Sequence, residues 1–165
     1  MRALLLLGQR STETVEMRWA DLDLHGATPA WTIPGDFRKG DRLHVIPLSP
    51  FFVGILEALP RTSERVFHGV YEANAERDWW GDVRARAMAG GAQHFTKHDL
   101  RRTCATDCAK LGAAPWIVSR ILGHAITEGT VAVTGTYNRY AGFPEMASAL
   151  NAWSAHVQEL VGGGR

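Results

Sequence analysis

Two residues near the middle of the chain, His98 and Arg101, stand three positions apart in the run Thr96-Lys97-His98-Asp99-Leu100-Arg101-Arg102-Thr103. On a helix that spacing places both side chains on one face, about one turn apart. Thr96 followed three residues later by Asp99 is a capping-box pattern, so the helix N-terminus, with its free N–H groups and partial positive charge, falls beside them. Such an end accepts an anion. Arg10 poses a related question, since it precedes a second predicted helix whose first turn carries Glu13, and a cation at a helix N-terminus is locally unfavourable. An anion held between Arg10 and that helix end would reverse the penalty. Taken singly, Arg10, Arg101 and His98 also fit plain surface or capping roles.

The elements that must position these residues follow from periodicity. Leu100, Cys104, Cys108 and Leu111 recur at helical spacing and define a core face, with Gly112 as the stop. The two cysteines then read as reduced, buried, small hydrophobes, since a disulfide along one helix face is strained and two thiolates without further ligands make a poor zinc site. Pro115 opens the next helix, whose apolar side is Ile117, Val118, Ile121 and Leu122, and Gly123 ends it just before His124. Two helices joined by a Gly-containing turn over residues 98 to 122 also resemble a helix-turn-helix, which supplies a reading as a DNA-binding module without chemistry.

Elsewhere, Leu4 to Leu7 read as the last turns of a helix whose earlier part is missing, and a second helix is predicted through Val15 to Trp19. Asp21 to Pro29 is polar and turn-rich. Trp31 to Ile33 and Leu43 to Leu48 read as strands of a small β-hairpin or three-stranded sheet, with Lys39 in the connecting loop. Helices are predicted from Pro50 to Leu59 and Asn74 to Ala89, with Val66-Phe67 as a buried anchor between them. Trp79-Trp80 reads as packing, and Phe95 as a staple for the central helix. A final helix carries Met146, Leu150, Trp153, Val157 and Leu160, a narrow apolar stripe suited to its own core or to a neighbour's groove.

Composition narrows the function classes. The chain has 165 residues, 45% of them hydrophobic and 21% charged, enough for one domain with a real core. A formal net charge of +1 gives no bulk cationic signature, so any nucleic-acid binding must come from a local patch. Lys39, Lys97 and Lys110 are the only lysines against fifteen arginines, and arginine is the better bidentate phosphate ligand. The leucine run is too short to span a membrane and lacks a signal-peptide pattern, which points to the cytoplasm. Residues 161–165 form a glycine-rich tail expected to be disordered.

Together the ordered set Arg10, Lys39, His98, Arg101, His124 and Tyr137 carries a family resemblance. The segments are Gly8-Gln9-Arg10-Ser11-Thr12-Glu13, Lys39-Gly40-Asp41-Arg42-Leu43-His44-Val45-Ile46-Pro47-Leu48, His98-Asp99-Leu100-Arg101-Arg102-Thr103, Leu122-Gly123-His124 and Thr136-Tyr137-Asn138-Arg139. In these the chain resembles the catalytic domain of the tyrosine recombinases, as found in phage-type or genomic-island integrases. The resemblance implies a mainly α fold with a small antiparallel β-sheet (α+β), residues 1–160 being the C-terminal catalytic domain without the N-terminal DNA-binding domains. It implies duplex DNA bearing an attachment site as substrate, with a tetramer of the full-length protein on DNA and accessory DNA-bending proteins as possible partners. No cofactor or metal is implied, and the isolated fragment is expected to be poorly active.

By the same resemblance Tyr137 is the nucleophile that forms a 3′-phosphotyrosyl link, and Arg10 and Arg101 hold the non-bridging phosphate oxygens. Lys39 protonates the departing 5′-oxygen, and His98 and His124 assist in proton movement and in hydrogen-bonding the phosphate, His98 as general base. Arg10, Lys39, Arg101, Arg102 and Arg139 are the expected DNA contacts. Thirteen positions separate His124 from Tyr137, more than in many family members, and Tyr140 lies three further on. A topoisomerase-like relaxing enzyme is the alternative within the enzyme class.

Overall fold

A computed structural model describes residues 1–35, 43–67, 75–124 and 142–162, with the side chains of 75–78 not among them. Lys39, Tyr137 and Arg139 therefore lie outside the described residues, as does the tail beyond 162. The order is α1 (Arg2–Leu7), α2 (Ser11–Val15), a 3-10 turn (Trp19–Asp21), β1 (Leu22–Asp23), β2 (Ala30–Ile33), β3 (His44–Pro47), α3 (Pro50–Glu57), α4 (Ala75–Ala89), α5 (Lys97–Lys110), α6 (Pro115–Ile121) and α7 (Phe143–Gly162). This is a mainly helical domain edged by a three-stranded antiparallel sheet in the order β1-β2-β3. Leu22 pairs with Trp31, and Trp31 with Ile46, so alternate residues of β2 face the helices: Trp31 and Ile33 are buried.

The turn-rich stretch expected at 21 to 29 thus contributes a third, two-residue strand. The helix expected to carry Glu13 in its first turn and run through Val15 to Trp19 stops early: α2 ends at Val15, because Met17 O accepts from Val66 N (2.9 Å) and Trp19 N donates to Glu64 O (3.1 Å). Those backbone bonds to the 64–66 segment replace helical ones, and no local periodicity announces them.

Helix α5 has the cap its sequence calls for. The Thr96 hydroxyl accepts from Asp99 N (3.2 Å), while Asp99 Oδ2 accepts from Thr96 N (2.9 Å) and from the Thr96 hydroxyl (2.8 Å). These contacts hold the Asp99 carboxyl below its ordinary range, the Thr96 hydroxyl contributing most. Cys104 and Cys108 are free and buried; contact with Cys108 and burial push the Cys104 thiol up, which keeps it protonated. Leu111, placed on the core face by spacing, is instead 44% exposed, since the helix ends at Lys110 and the chain turns away. Gly8 ends α1 in the left-handed conformation (φ 63°), and a Cβ there would stand 3.0 Å from Cys104 Sγ. Glycine is required twice over, by the turn and by the close approach of α1 to α5.

Helix α7 lies across this protomer's own core. Met146, Leu150, Trp153 and Val157 are buried, Trp153 Nε1 donates to Leu5 O (2.9 Å), and Ser154 Oγ donates to Ser49 Oγ (2.7 Å). Leu160, the last residue of the predicted stripe, is 64% exposed. Burying each of the four inner side chains contributes about 1.5–3 kcal/mol. Trp80 packs edge-on against Phe95 with centroids 5.4 Å apart, so the tryptophan pair is structural. No helix among the described residues is long and apolar enough to cross a membrane.

Candidate active site

A cleft of about 380 Å³ opens where the α1–α2 turn, the start of α5 and the end of α6 meet, lined by Gln9, Arg10, Ser11, Thr12, Lys97, His98, Arg101 and His124. It gathers four of the predicted residues from three separate stretches of chain. Among its described lining residues are three cations and no acid.

Arg101 sits at the base, only 6% exposed. One terminal nitrogen donates to Gly8 O and the other to Leu122 O, each at 2.7 Å. The carbonyls fix the guanidinium plane without neutralising its charge, which suits recognition of a planar pair of oxyanion oxygens. The second nitrogen also lies 3.5 Å from His124 Nε2. For that contact to be attractive Nε2 must accept, placing the His124 proton on Nδ1. Partial burial, then the charges of Arg101 and Arg10, hold the His124 pKa below its ordinary value. His124 is thus neutral at pH 7, and a bound anion would raise its proton affinity.

Arg10 immediately precedes α2 and answers its own electrostatic problem internally. Its side chain donates to Glu13 Oε1 (2.8 Å), and its backbone N–H donates to Glu13 Oε2 (2.9 Å). Glu13 is 1% exposed, so a buried carboxylate orients a half-exposed guanidinium toward the cleft. The helix-end penalty expected from sequence is offset by this residue, with no external anion needed. His98 stands at the second position of α5 on the cleft wall. Arg102 does not line the cleft; it is exposed and pairs with Asp99 at 3.6 Å. Among the described residues no group of three potential ligands could hold a metal ion.

Three further residues shape the site. Glu13 was visible as a first-turn acid three residues after Arg10, though not as its orienting partner. Gln9 Nε2 donates to Leu7 O (2.8 Å) and Ile121 O (2.7 Å), and His44 Nε2 lies 3.3 Å from Ile121 O. The two contacts to Ile121 O have no local signal, because the paired residues are 112 and 77 positions apart in the chain.

The helical domain with its edge sheet is the tyrosine recombinase catalytic fold, and the cleft it carries is cationic, with two guanidiniums and two imidazoles among its described lining residues. Two crystal structures of the XerH site-specific recombinase share that fold. The pre-cleavage complex with difH substrate superposes with a TM-score of 0.58 at 20% identity, covering 75% of this chain and 38% of that one. The post-cleavage complex with palindromic difH gives 0.58 at 18%, covering 97% and 43%. The phage integrase family model matches residues 1–140, and the chain belongs to that family. It is 26% identical over 163 residues to prophage integrase IntA of Escherichia coli K12, covering 97% of this chain and 38% of IntA. Prophage integrase IntF of the same strain is 28% identical over 131 residues, covering 75% and 27%. The chain therefore spans well under half the length of these relatives.

Proposed function

We propose that this chain is the strand-cleaving catalytic domain of a longer site-specific integrase, acting on duplex DNA through a 3′-phosphotyrosyl intermediate. The observation that supports it most is the convergence of Arg10, His98, Arg101 and His124 on one cleft with no acid among its described lining residues. Arg10 and Arg101 hold the non-bridging oxygens of the scissile phosphate, and their charge counters what develops on the five-coordinate phosphorus. Tyr137 displaces the 5′-oxygen. His98 takes the phenol proton as general base, Lys39 protonates the departing oxygen, and neutral His124 hydrogen-bonds the phosphate through Nδ1–H. Storing the ester bond in the protein–DNA link makes the exchange reversible without ATP. Arg102, exposed outside the cleft, contacts the DNA backbone, as does Arg139. On DNA the full-length protein assembles as a tetramer, assisted by DNA-bending proteins, in the cytoplasm.

The test uses the full-length protein and a nicked duplex carrying the attachment sequence beside its encoding locus, so that the released 5′ strand diffuses away and traps the adduct. A denaturation-resistant protein–DNA adduct is expected for the parent and for Tyr140→Phe, and none for Tyr137→Phe. DNA binding without any adduct would favour a module without chemistry. Relaxation of one duplex without joints between two would favour a topoisomerase-like enzyme.

A further inference from the structure

Helices α1 and α6 end in the same way and at the same place. Each stops at a left-handed glycine, Gly8 at φ 63° and Gly123 at φ 62°. At the end of α6, Gly123 N donates to Arg120 O (2.8 Å) and His124 N to Ser119 O (3.0 Å), the two bonds of a Schellman motif. That motif leaves the carbonyls of Ile121 and Leu122 to be satisfied from outside the helix. Arg101 takes Leu122, together with Gly8 at the end of α1. The Ile121 carbonyl faces Gln9 and His44.

We propose that Gln9 and His44 are positioning residues of this site: by converging on the Ile121 carbonyl they hold the turn that carries His124 in register with the turn that carries Arg10. The inference rests on the recombinase reading for its consequence, but its geometry stands apart from it. Gln9 is 1% exposed, and both Nε2 hydrogens are used, one on each helix end. Its Oε1 is left enclosed without a hydrogen-bond partner among the described residues. The amide orientation is thus dictated by the two carbonyls, not by its own satisfaction. His44, the first residue of β3, must present Nε2–H to a carbonyl that can only accept. Arg101 and Gln9 therefore cross-link the same two turns, and His44 ties the second turn to the sheet. Loss of either donor frees the His124 turn by a fraction of an ångström, and misplacement on that scale is what catalytic rates respond to.

Three variants test this. Gln9→Met keeps the length of the side chain and removes both donors; His44→Phe keeps the ring and removes one, and His44→Gln restores a donor. The first readout is an NMR titration of the His124 ring, which faces Arg101 and Arg10 and shares the cleft with Lys97 and His98. In Gln9→Met and His44→Phe the His124 midpoint is expected to move up toward that of an ordinary histidine, and His44→Gln is expected to restore the parent value. The second readout is single-turnover adduct formation on the nicked duplex. It is expected to slow about tenfold in Gln9→Met with DNA affinity within about twofold of the parent, a loss in the chemical step and not in binding. If Gln9→Met does not fold, the His44→Phe and His44→Gln pair decides. Folded variants with the parent's His124 titration overturn the proposal. A parent protein that forms no adduct overturns the recombinase reading while the titration still decides the positioning role.

Discussion

Helices α5 and α7 both pack through the middle of the domain, yet opposite means hold them. Helix α7 is fastened by a stripe of Met146, Leu150, Trp153 and Val157, whose attraction is proportional to area and indifferent to small rotations. Helix α5 buries the small Cys104 and Cys108, and at its other end an arginine locked by two 2.7 Å bonds to the ends of α1 and α6. Hydrogen bonds to a charged group are short and directional, so they fix position where apolar packing fixes only proximity. The candidate cleft lies at the directional end. Stability is concentrated in one helix and geometry in the other, and substitutions should separate the two.

Arg101→Ala gives the largest expected effect, because it removes a proposed phosphate ligand and leaves the Gly8 and Leu122 carbonyls buried without their donor. Adduct formation should fall by at least about 10³-fold and the midpoint of denaturant unfolding should drop as well. Leu150→Ala is the contrasting case: an apparent loss of about 2–5 kcal/mol in urea unfolding, with the single-turnover rate of the folded fraction kept within about threefold. A Leu150→Ala protein that is fully folded but cleaves as slowly as Arg101→Ala would erase the distinction between the two helices.

Gly8→Ala comes next. It imposes a left-handed alanine, costing about 1–2 kcal/mol, and presses a methyl group to 3.0 Å from Cys104 Sγ. Since Gly8 O also anchors Arg101, both stability and rate should suffer, which Leu150→Ala does not predict for its own helix. Thr96→Ala should cost about 1 kcal/mol through loss of the α5 cap, measured by thermal unfolding.

The smallest effect concerns pH. His124 is held below its ordinary pKa in the folded state, so the unfolded chain binds the extra proton more readily. Its contribution to stability is therefore full above the unfolded value of about 6.5 and is lost as pH falls through the lower folded value. Unfolding midpoints should decline over that acidic window. Inorganic phosphate should reduce the decline by offsetting Arg101 and Arg10, and His124→Asn should remove it.

Much of this architecture was legible before any coordinates. The Thr96 and Asp99 cap, the cysteine face of α5, the Pro115 start and Gly123 stop of α6, and the four inner residues of the α7 stripe are all local patterns. Local patterns report on neighbours three or four residues away, which is why spacing puts Leu111 on the core face and does not separate Leu160 from the inner four residues of its stripe: periodicity does not tell where the body beneath a helix ends. The early end of α2 escaped notice for the same reason, its cause being residues 64–66.

By itself, the order of residues determined which side chains have the chemistry to hold a phosphate and roughly which helix ends present them, since capping, periodicity and charge are properties of short stretches. Only the tertiary structure decided that Arg10 is oriented by buried Glu13, that Arg101 is clamped between two helix ends, and that Ile121 O faces Gln9 and His44. The last two arrangements depend on backbone carbonyl groups, which every residue carries alike. A sequence names the donors, but which backbone acceptors they meet is set by how the chain crosses itself.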